Sequence, residues 1–326
     1  MEKILVIDCG GGTGNRLQNI VNGFYFKEKY NFTKMYFAWR NQWSFTGRYE
    51  DFFEINDDFD IIEELDRPYP PSIWHSGNIF PNNYTQDDFV TIIPTNKPCM
   101  VHLMEENINA VIKESDIFPQ MGQDRALKII KNNLPGPSKK VLYLIDAFME
   151  QNNLQTDNFV GIHIRRTDKL GCGPGDAFYI QQIRSIINSN PNVKMFLCSD
   201  DLEVERNMKS MFPDNIVFRK KDPLNAPRPM LGNFIPGPNF IPYTKELDNA
   251  LESIVSSDNK HLPQWWLNER KIEPGKKLYN AIRTKESVLD AIIDFFILSK
   301  SNHILNSVGT FYAMANRISF TRKLRG

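Results

Sequence analysis

Between residues 159 and 317, short apolar stretches alternate with longer stretches of helical period, and this alternation restricts the chain to a parallel α/β architecture. The stretches 159–164, 193–198, 216–218 and 303–305 are short and predominantly apolar, as strands covered on both faces are. Between them, Ile180, Ile183, Ile186 and Ile187 recur at helical spacing, and 202–211, 287–299 and 311–317 read as further helices. Parallel neighbours need such crossovers. In these sheets ligands bind outside the carboxyl ends of the strands. That rule singles out the loops opening at Arg165, Ser199 and Asn306, with 306–310 read as loop.

The chain begins in the same way. Residues 3–7 form a short β-branched run broken by Gly10, Gly11, Gly12 and Gly14, and Leu17, Ile20, Val21 and Phe24 then share one helix face. Residues 34–110 are rich in aromatics, Asn and Pro, with strands expected at 35–38 and 90–93. Residues 134–138 read as a loop whose Ser138 caps a helix carrying Val141, Leu142, Ile145 and Phe148 on one side. A chain of 326 residues exceeds the size at which one core keeps growing. Two domains are therefore expected, residues 1–145 and 146–326, with a proline-rich surface loop at 222–245.

Lys plus Arg equals Asp plus Glu at 39 each, which speaks against a nucleic-acid binder, because those carry a basic footprint. Cys9, Cys99, Cys172 and Cys198 form neither a C-x-x-C pair nor a zinc spacing and read as reduced thiols. No stretch approaches the roughly 18 apolar residues of a membrane span, and the first residues lack a signal-peptide pattern. A soluble, cytoplasmic protein is the expectation. The basic end, 321–326, reads as a solvated tail capable at most of weak peripheral contact with a membrane.

The run Gly161-Ile162-His163-Ile164-Arg165-Arg166-Thr167-Asp168-Lys169-Leu170-Gly171 carries the strongest chemical signal. Two adjacent arginines where a buried strand ends offer fixed, always charged forks for phosphate oxygens, and Asp168 can orient one of them. The same residues also suit a surface salt-bridge cluster. The wider run resembles the donor-site motif of α1,6-fucosyltransferases and the nodulation fucosyltransferases. Phe196-Leu197-Cys198-Ser199-Asp200-Asp201, then Asp294-Phe295-Phe296-Ile297-Leu298-Ser299 with Ile304-Leu305-Asn306-Ser307 and Thr310-Phe311, look like the same family in the same order. The glycine loop at residues 10–14 is a looser match, and the middle of the first domain matches nothing in the family.

The resemblance implies a GT-B fold of two Rossmann-like domains facing each other across a cleft. Residues 1–145 would bind the glycan acceptor and 146–326 a GDP-sugar. The implied activity is inverting, metal-independent transfer of fucose from GDP-fucose, with no cofactor. Departure of GDP builds negative charge on the β-phosphate, which arginines or a cation must stabilise. On this resemblance Arg165 is the principal phosphate contact and Arg166 lies alongside. Thr310 and the amides of Gly12 and Gly14 complete the cradle, with Asn15 and Ser307 on the same loops. Asp294 falls on a position that contacts guanine, though a helix-surface or capping role suits it equally. His163 falls beside the base, and a satisfied core histidine is the plainer reading. Asp200 and Asp201 are expected to divide between fixing Arg166 or a ribose and capping the next helix. Lys169 either meets the phosphates or faces solvent.

The base that takes the acceptor proton falls on Asp176, before Ala177-Phe178. Here the sequence departs from the family: the loop 171–175 is about two residues longer and the acid is Asp where the family has Glu. Three readings thus stand: a fucosyltransferase or one using another GDP-sugar, a sugar-nucleotide or glycan-binding protein that has lost catalysis, and a nicotinamide-dependent oxidoreductase. The glycine loop lacks the spacing of a dinucleotide fingerprint, and no acidic residue follows a second strand at the usual distance, which weakens the last. Asp58-Phe59-Asp60 has the form of a metal-binding D-x-D but reads as a solvated helix start. Trp39, Trp43, Trp265 and Trp266 read as packing residues before sugar platforms.

Overall fold

The computed structural model describes residues 4–9, 11–39, 45–55, 58–62, 108–112, 121–166, 174–225, 228–230 and 280–324. Asp168, Lys169, Cys99, Cys172, Trp43, Trp265, Trp266 and the strand expected at 90–93 lie outside them. Two parallel four-stranded sheets form the frame. In the first, β1 (Ile4–Cys9) lies between β2 (Lys34–Trp39) and β4 (Ile108–Ile112), and β3 (Asp60–Ile62) follows β2 at the edge. In the second, β5 (Val160–Ile164) lies between β10 (His303–Ile304) and β6 (Met195–Ser199), with β7 (Ile216–Val217) beyond. A short antiparallel pair, β8 (Arg228–Met230) and β9 (Asn280–Ile282), stands apart.

The helices are α1 (Thr13–Tyr30), α2 (Gln123–Asn133), α3 (Lys139–Gln151), α4 (Asp176–Ser189), α5 (Leu202–Met211), α6 (Lys285–Ser299) and α7 (Gly309–Lys323). Ser138 caps α3 by accepting the Val141 N–H, and Thr284 caps α6 by accepting that of Ser287. The strands of the second sheet are buried because helices cover both faces: Ile162, Ile164, Met195 and Leu197 pack with Tyr179, Ile183 and Met208, while Phe159 and Phe196 face Ile145, Phe295 and Leu298. The last helix returns to the start of the chain, for α7 packs on α1 and α2, and α3 packs on α6. One apolar cluster therefore runs from Ile7 and Phe37 to Phe295 and Met314.

Three expectations change. Asp60 does not open a helix. It starts edge strand β3 and pairs with Lys34, because Phe59 is drawn into the core against Phe24 and Phe37. The loop expected at 306–310 ends earlier, since α7 begins at Gly309, and the helix extends to Lys323. The basic end is also no free tail. Arg322 donates to the Ser299 and Ser301 carbonyls and pairs with Asp157, and Lys323 reaches the Asn302 carbonyl. These cations serve the fold, and nothing supports the membrane contact. Among the described residues no helix is long and apolar enough to cross a membrane.

Candidate nucleotide-diphosphate site

Strand order places the site. In each sheet the chain reverses direction beside a central strand: between β1 and β4 in the first, between β5 and β10 in the second. Ligands bind at such switch points, at the carboxyl ends. The carboxyl end of β1 leads into Gly11–Gly14, and those of β5 and β10 lead to Arg165 and Ser307.

These loops meet. Gly14 lies so close to α7 that a Cβ there would stand 2.4 Å from the Thr310 carbonyl carbon and the Phe311 nitrogen. Thr310 Oγ1 donates to Asn15 Oδ1, tying the first turns of the two helices together. Neither α1 nor α7 has a side-chain cap or an acidic residue in its first turn. Their leading amides have no acceptor within their own helices, and both macrodipoles add positive potential at the same place. Arg165 completes the arrangement. Gly309 has φ 90°, a conformation that favours glycine, and a Cβ there would lie 3.0 Å from Arg165 Nη1. Two open helix ends and a guanidinium thus converge, which is the chemistry of an anion site.

Behind the glycine loop, Arg16 is fully buried between Trp39 and Phe45, 4.5 and 4.0 Å from their ring centres, and its Nε donates to the Gly11 carbonyl at 2.8 Å. Sequence periodicity gives no hint of this, because a polar residue is expected on the helix surface. Trp39 also packs against Tyr49 and Phe53 and is a core residue.

Arg166 is committed differently from Arg165. Its backbone N–H donates to Asp200 Oδ1 at 2.7 Å, its Nη2 reaches Asp176 Oδ1 at 2.5 Å and the Pro174 carbonyl at 3.2 Å, and its guanidinium lies over Tyr179. Asp201 accepts the Glu203 N–H as the cap of α5. The acidic pair thus divides into one cap and one network residue. Asp176 is the first residue of α4, with its side chain 56% exposed.

His163 is buried, stacked on Phe311 at 4.8 Å between ring centres, and shares a hydrogen bond with Ser307 Oγ at 3.0 Å through Nδ1. Burial pushes its imidazole down to about 4, Arg165 and Lys221 act the same way, and Asp200 and Asp294 oppose them. The folded form then binds fewer protons than the unfolded chain between about 4 and 6.5. Its contribution to stability is complete above about pH 6.5 and is lost as pH falls toward 4. An NMR titration should find the His163 ring neutral at pH 6. A midpoint near 6.5 would contradict this.

Asp294 is neither on the helix surface nor a cap. It is 3% exposed, with Oδ1 3.3 Å from Arg219 Nη1 and Oδ2 2.7 Å from Lys221 Nζ. Glu205 and Asp290 join the same cluster through Lys221 and Arg219. Sequence reading misses Arg219, Lys221 and Glu205. The signal was present for two of them, since Arg219 and Lys221 follow strand β7 as Arg165 follows β5.

No family model and no curated protein matches the chain. Solved structures do. A NodZ alpha-1,6-fucosyltransferase soaked with GDP-fucose superposes with a TM-score of 0.51 over 98% of this chain and 93% of its own, at 14% identity. The fucosyltransferase NodZ from Bradyrhizobium gives 0.50 over 97% and 92%, also at 14% identity. NodZ co-crystallized with GDP matches equally, with 0.50 and 14%. With two parallel α/β sheets joined by a returning last helix, the chain has the fold of these enzymes, the GT-B architecture expected from its motifs.

Proposed function

We propose that the chain is a glycosyltransferase that moves fucose from GDP-fucose to a hydroxyl of a glycan, with inversion and without a metal. The observation that carries this reading is the convergence of Arg165 with the open amino-terminal turns of α1 and α7. A diphosphate places its charge where those donors point, and the charge grows as GDP leaves, which is when preorganised donors lower the barrier. Support for the donor comes from similar structures, one of a fucosyltransferase soaked with GDP-fucose and one co-crystallized with GDP.

Within this reading Gly12, Gly14 and Asn15 supply the α1 end of the cradle and Ser307 and Thr310 the α7 end. Arg165 grips the diphosphate, with Asp168 and Lys169 following it in sequence. Arg166, fixed by Asp200, orients Asp176. His163 and Asp294 lie toward the base, and each Asp294 oxygen, already accepting from a cation, keeps a second lone pair for the guanine edge. Asp176 takes the acceptor proton during in-line attack. Residues 1–145 serve as the acceptor domain and 146–326 as the donor domain.

Incubation with GDP-fucose, GDP-mannose, UDP-glucose and NAD, following nucleotide release, tests the assignment. GDP release from GDP-fucose alone, unchanged by a chelator, is expected. Release from another GDP-sugar would move the donor, and inhibition by chelation would remove the metal-free mechanism. The Arg166–Asp176 ion pair favours one alternative, a sugar-nucleotide-binding protein, because it engages one of the two carboxylate oxygens a base would offer. Asp176→Asn separates the two. GDP affinity should stay within about twofold while transfer falls by about 100-fold or more. Normal transfer by this variant would exclude Asp176 as the base.

A further inference from the structure

The buried charged cluster beside the site does more than fill space. Among the described residues it holds three carboxylates, Glu205, Asp290 and Asp294, against two cations, Arg219 and Lys221. Lys221 lies at its centre, and its three N–H donors are each used. One goes to the Ser199 carbonyl at 2.9 Å, one to Glu205 Oε1 at 2.5 Å and one to Asp294 Oδ2 at 2.7 Å. These partners belong to the end of β6, to α5 and to α6. Glu205 is fully buried and also accepts the Ser199 N–H at 2.8 Å, so both backbone groups of Ser199 are held by this one ion pair.

Ser199 begins the loop that fixes Arg166. Its Oγ accepts the Asp201 N–H at 3.1 Å, and Asp200 between them accepts the Arg166 N–H. Arg166 in turn holds Asp176. A continuous chain of bonds therefore runs from Lys221 through the Ser199–Asp201 loop to Arg166. We propose that Lys221 is a positioning residue for the nucleotide site, tethering the end of β6 to α5 and α6 so that the backbone of Arg166 is held in place for the diphosphate. This rests on the GDP-sugar reading above.

A lysine spending three donors inside a cluster is expensive to desolvate, and an apolar cluster in place of all the charges would stabilise the fold as well or better, whereas loss of Lys221 alone leaves Glu205 and Asp294 short of a cation. The bonds it makes to a backbone carbonyl and to two different helices are what an apolar residue cannot replace. Glu205 Oε2 is buried with no hydrogen-bond partner, as expected where negative charge exceeds positive, and burial pushes the Glu205 carboxyl up to about 7 against the pull of Lys221. The other groups facing the cluster are Cys198 on β6, Asp200 in the loop and His163 on β5.

The test uses the full chain and two readouts, hydrogen exchange of the Arg166 amide without ligand and GDP affinity by calorimetry. Lys221→Met should speed Arg166 exchange and weaken GDP binding by about tenfold at pH 8. Both should recover only in part toward pH 6, where the surplus carboxylates take up protons but the bond to the Ser199 carbonyl stays missing. The double variant Lys221→Met, Glu205→Gln keeps an acceptor for the Ser199 N–H and restores charge balance, so it folds even where the single variant does not. It should still show the faster exchange and weaker binding, now without the pH dependence. Lowered thermal stability with unchanged Arg166 exchange in either folded variant would overturn the proposal and leave Lys221 a structural ion. Failure of the unaltered protein to bind GDP would overturn the nucleotide reading, and Arg166 exchange would still decide the tether.

Discussion

Arg165→Ala is expected to weaken GDP binding by about 100-fold while leaving the fold intact, since a charge-assisted pair contributes up to about 3 kcal/mol and each 1.4 kcal/mol is tenfold. Arg165 is partly exposed at the end of β5, and its guanidinium rests against Gly309 at the start of α7. It lies outside both apolar clusters, so affinity should fall by far more than stability does. Arg166→Ala should behave differently, because that guanidinium is bound to Pro174 and Asp176 and lies over Tyr179. Calorimetric titration with GDP, paired with a thermal melt, distinguishes the two. Unchanged affinity in Arg165→Ala would remove it from the site.

The second large effect belongs to Gly14. A methyl group there would meet the backbone of Thr310 and Phe311 at 2.4 Å, and backbone cannot step aside as a side chain can. Gly14→Ala should therefore cost on the order of 3 kcal/mol and push the two helix ends apart. Stability and GDP affinity should fall together, unlike in Arg165→Ala, where affinity falls by far more than stability. Gly12→Ala is the control: a Cβ at Gly12 meets nothing within 4 Å. Denaturant unfolding of the two glycine variants checks the contrast, and equal stabilities would show that α1 and α7 do not need this close approach.

The second sheet was legible because both of its faces are covered. Strands such as Met195–Ser199 are buried throughout and read as unbroken apolar runs, and the helices between them keep one apolar face. The first sheet gave weaker signals. Its strand Ile108–Ile112 carries Asn and Ala and was missed, as was α2, although Ala126, Ile129 and Ile130 recur at helical spacing. Helix α1 was found from Leu17, Ile20, Val21 and Phe24, yet Arg16, Gln18, Asn19 and Asn22 are buried as well, because Arg16 lies between Trp39 and Phe45 and both α2 and α7 pack on the helix. A partner 295 residues away in the chain leaves no local mark.

The same division runs through the site. Arg165, Arg166 and Asp200 could be picked out because position after a strand is a local property. What each one touches was not readable. The two arginines, adjacent in sequence, point to different tasks, one toward the helix ends and one toward Asp176 and the loop at Asp200. Asp294, read equally as a guanine contact and as a helix-surface or capping carboxylate, lies in a buried ion cluster whose cations, Arg219 and Lys221, come from 75 and 73 residues earlier. Charge pairing at such separations is decided by packing, which the order of residues does not display.

A crystal structure with GDP bound tests the central claim most directly. The diphosphate should lie against the amides opening α1 at Gly12–Asn15 and α7 at Gly309–Thr310, with the Arg165 guanidinium in hydrogen-bond contact and the base toward His163. GDP bound elsewhere, or a diphosphate turned away from both helix ends and from Arg165, would contradict it.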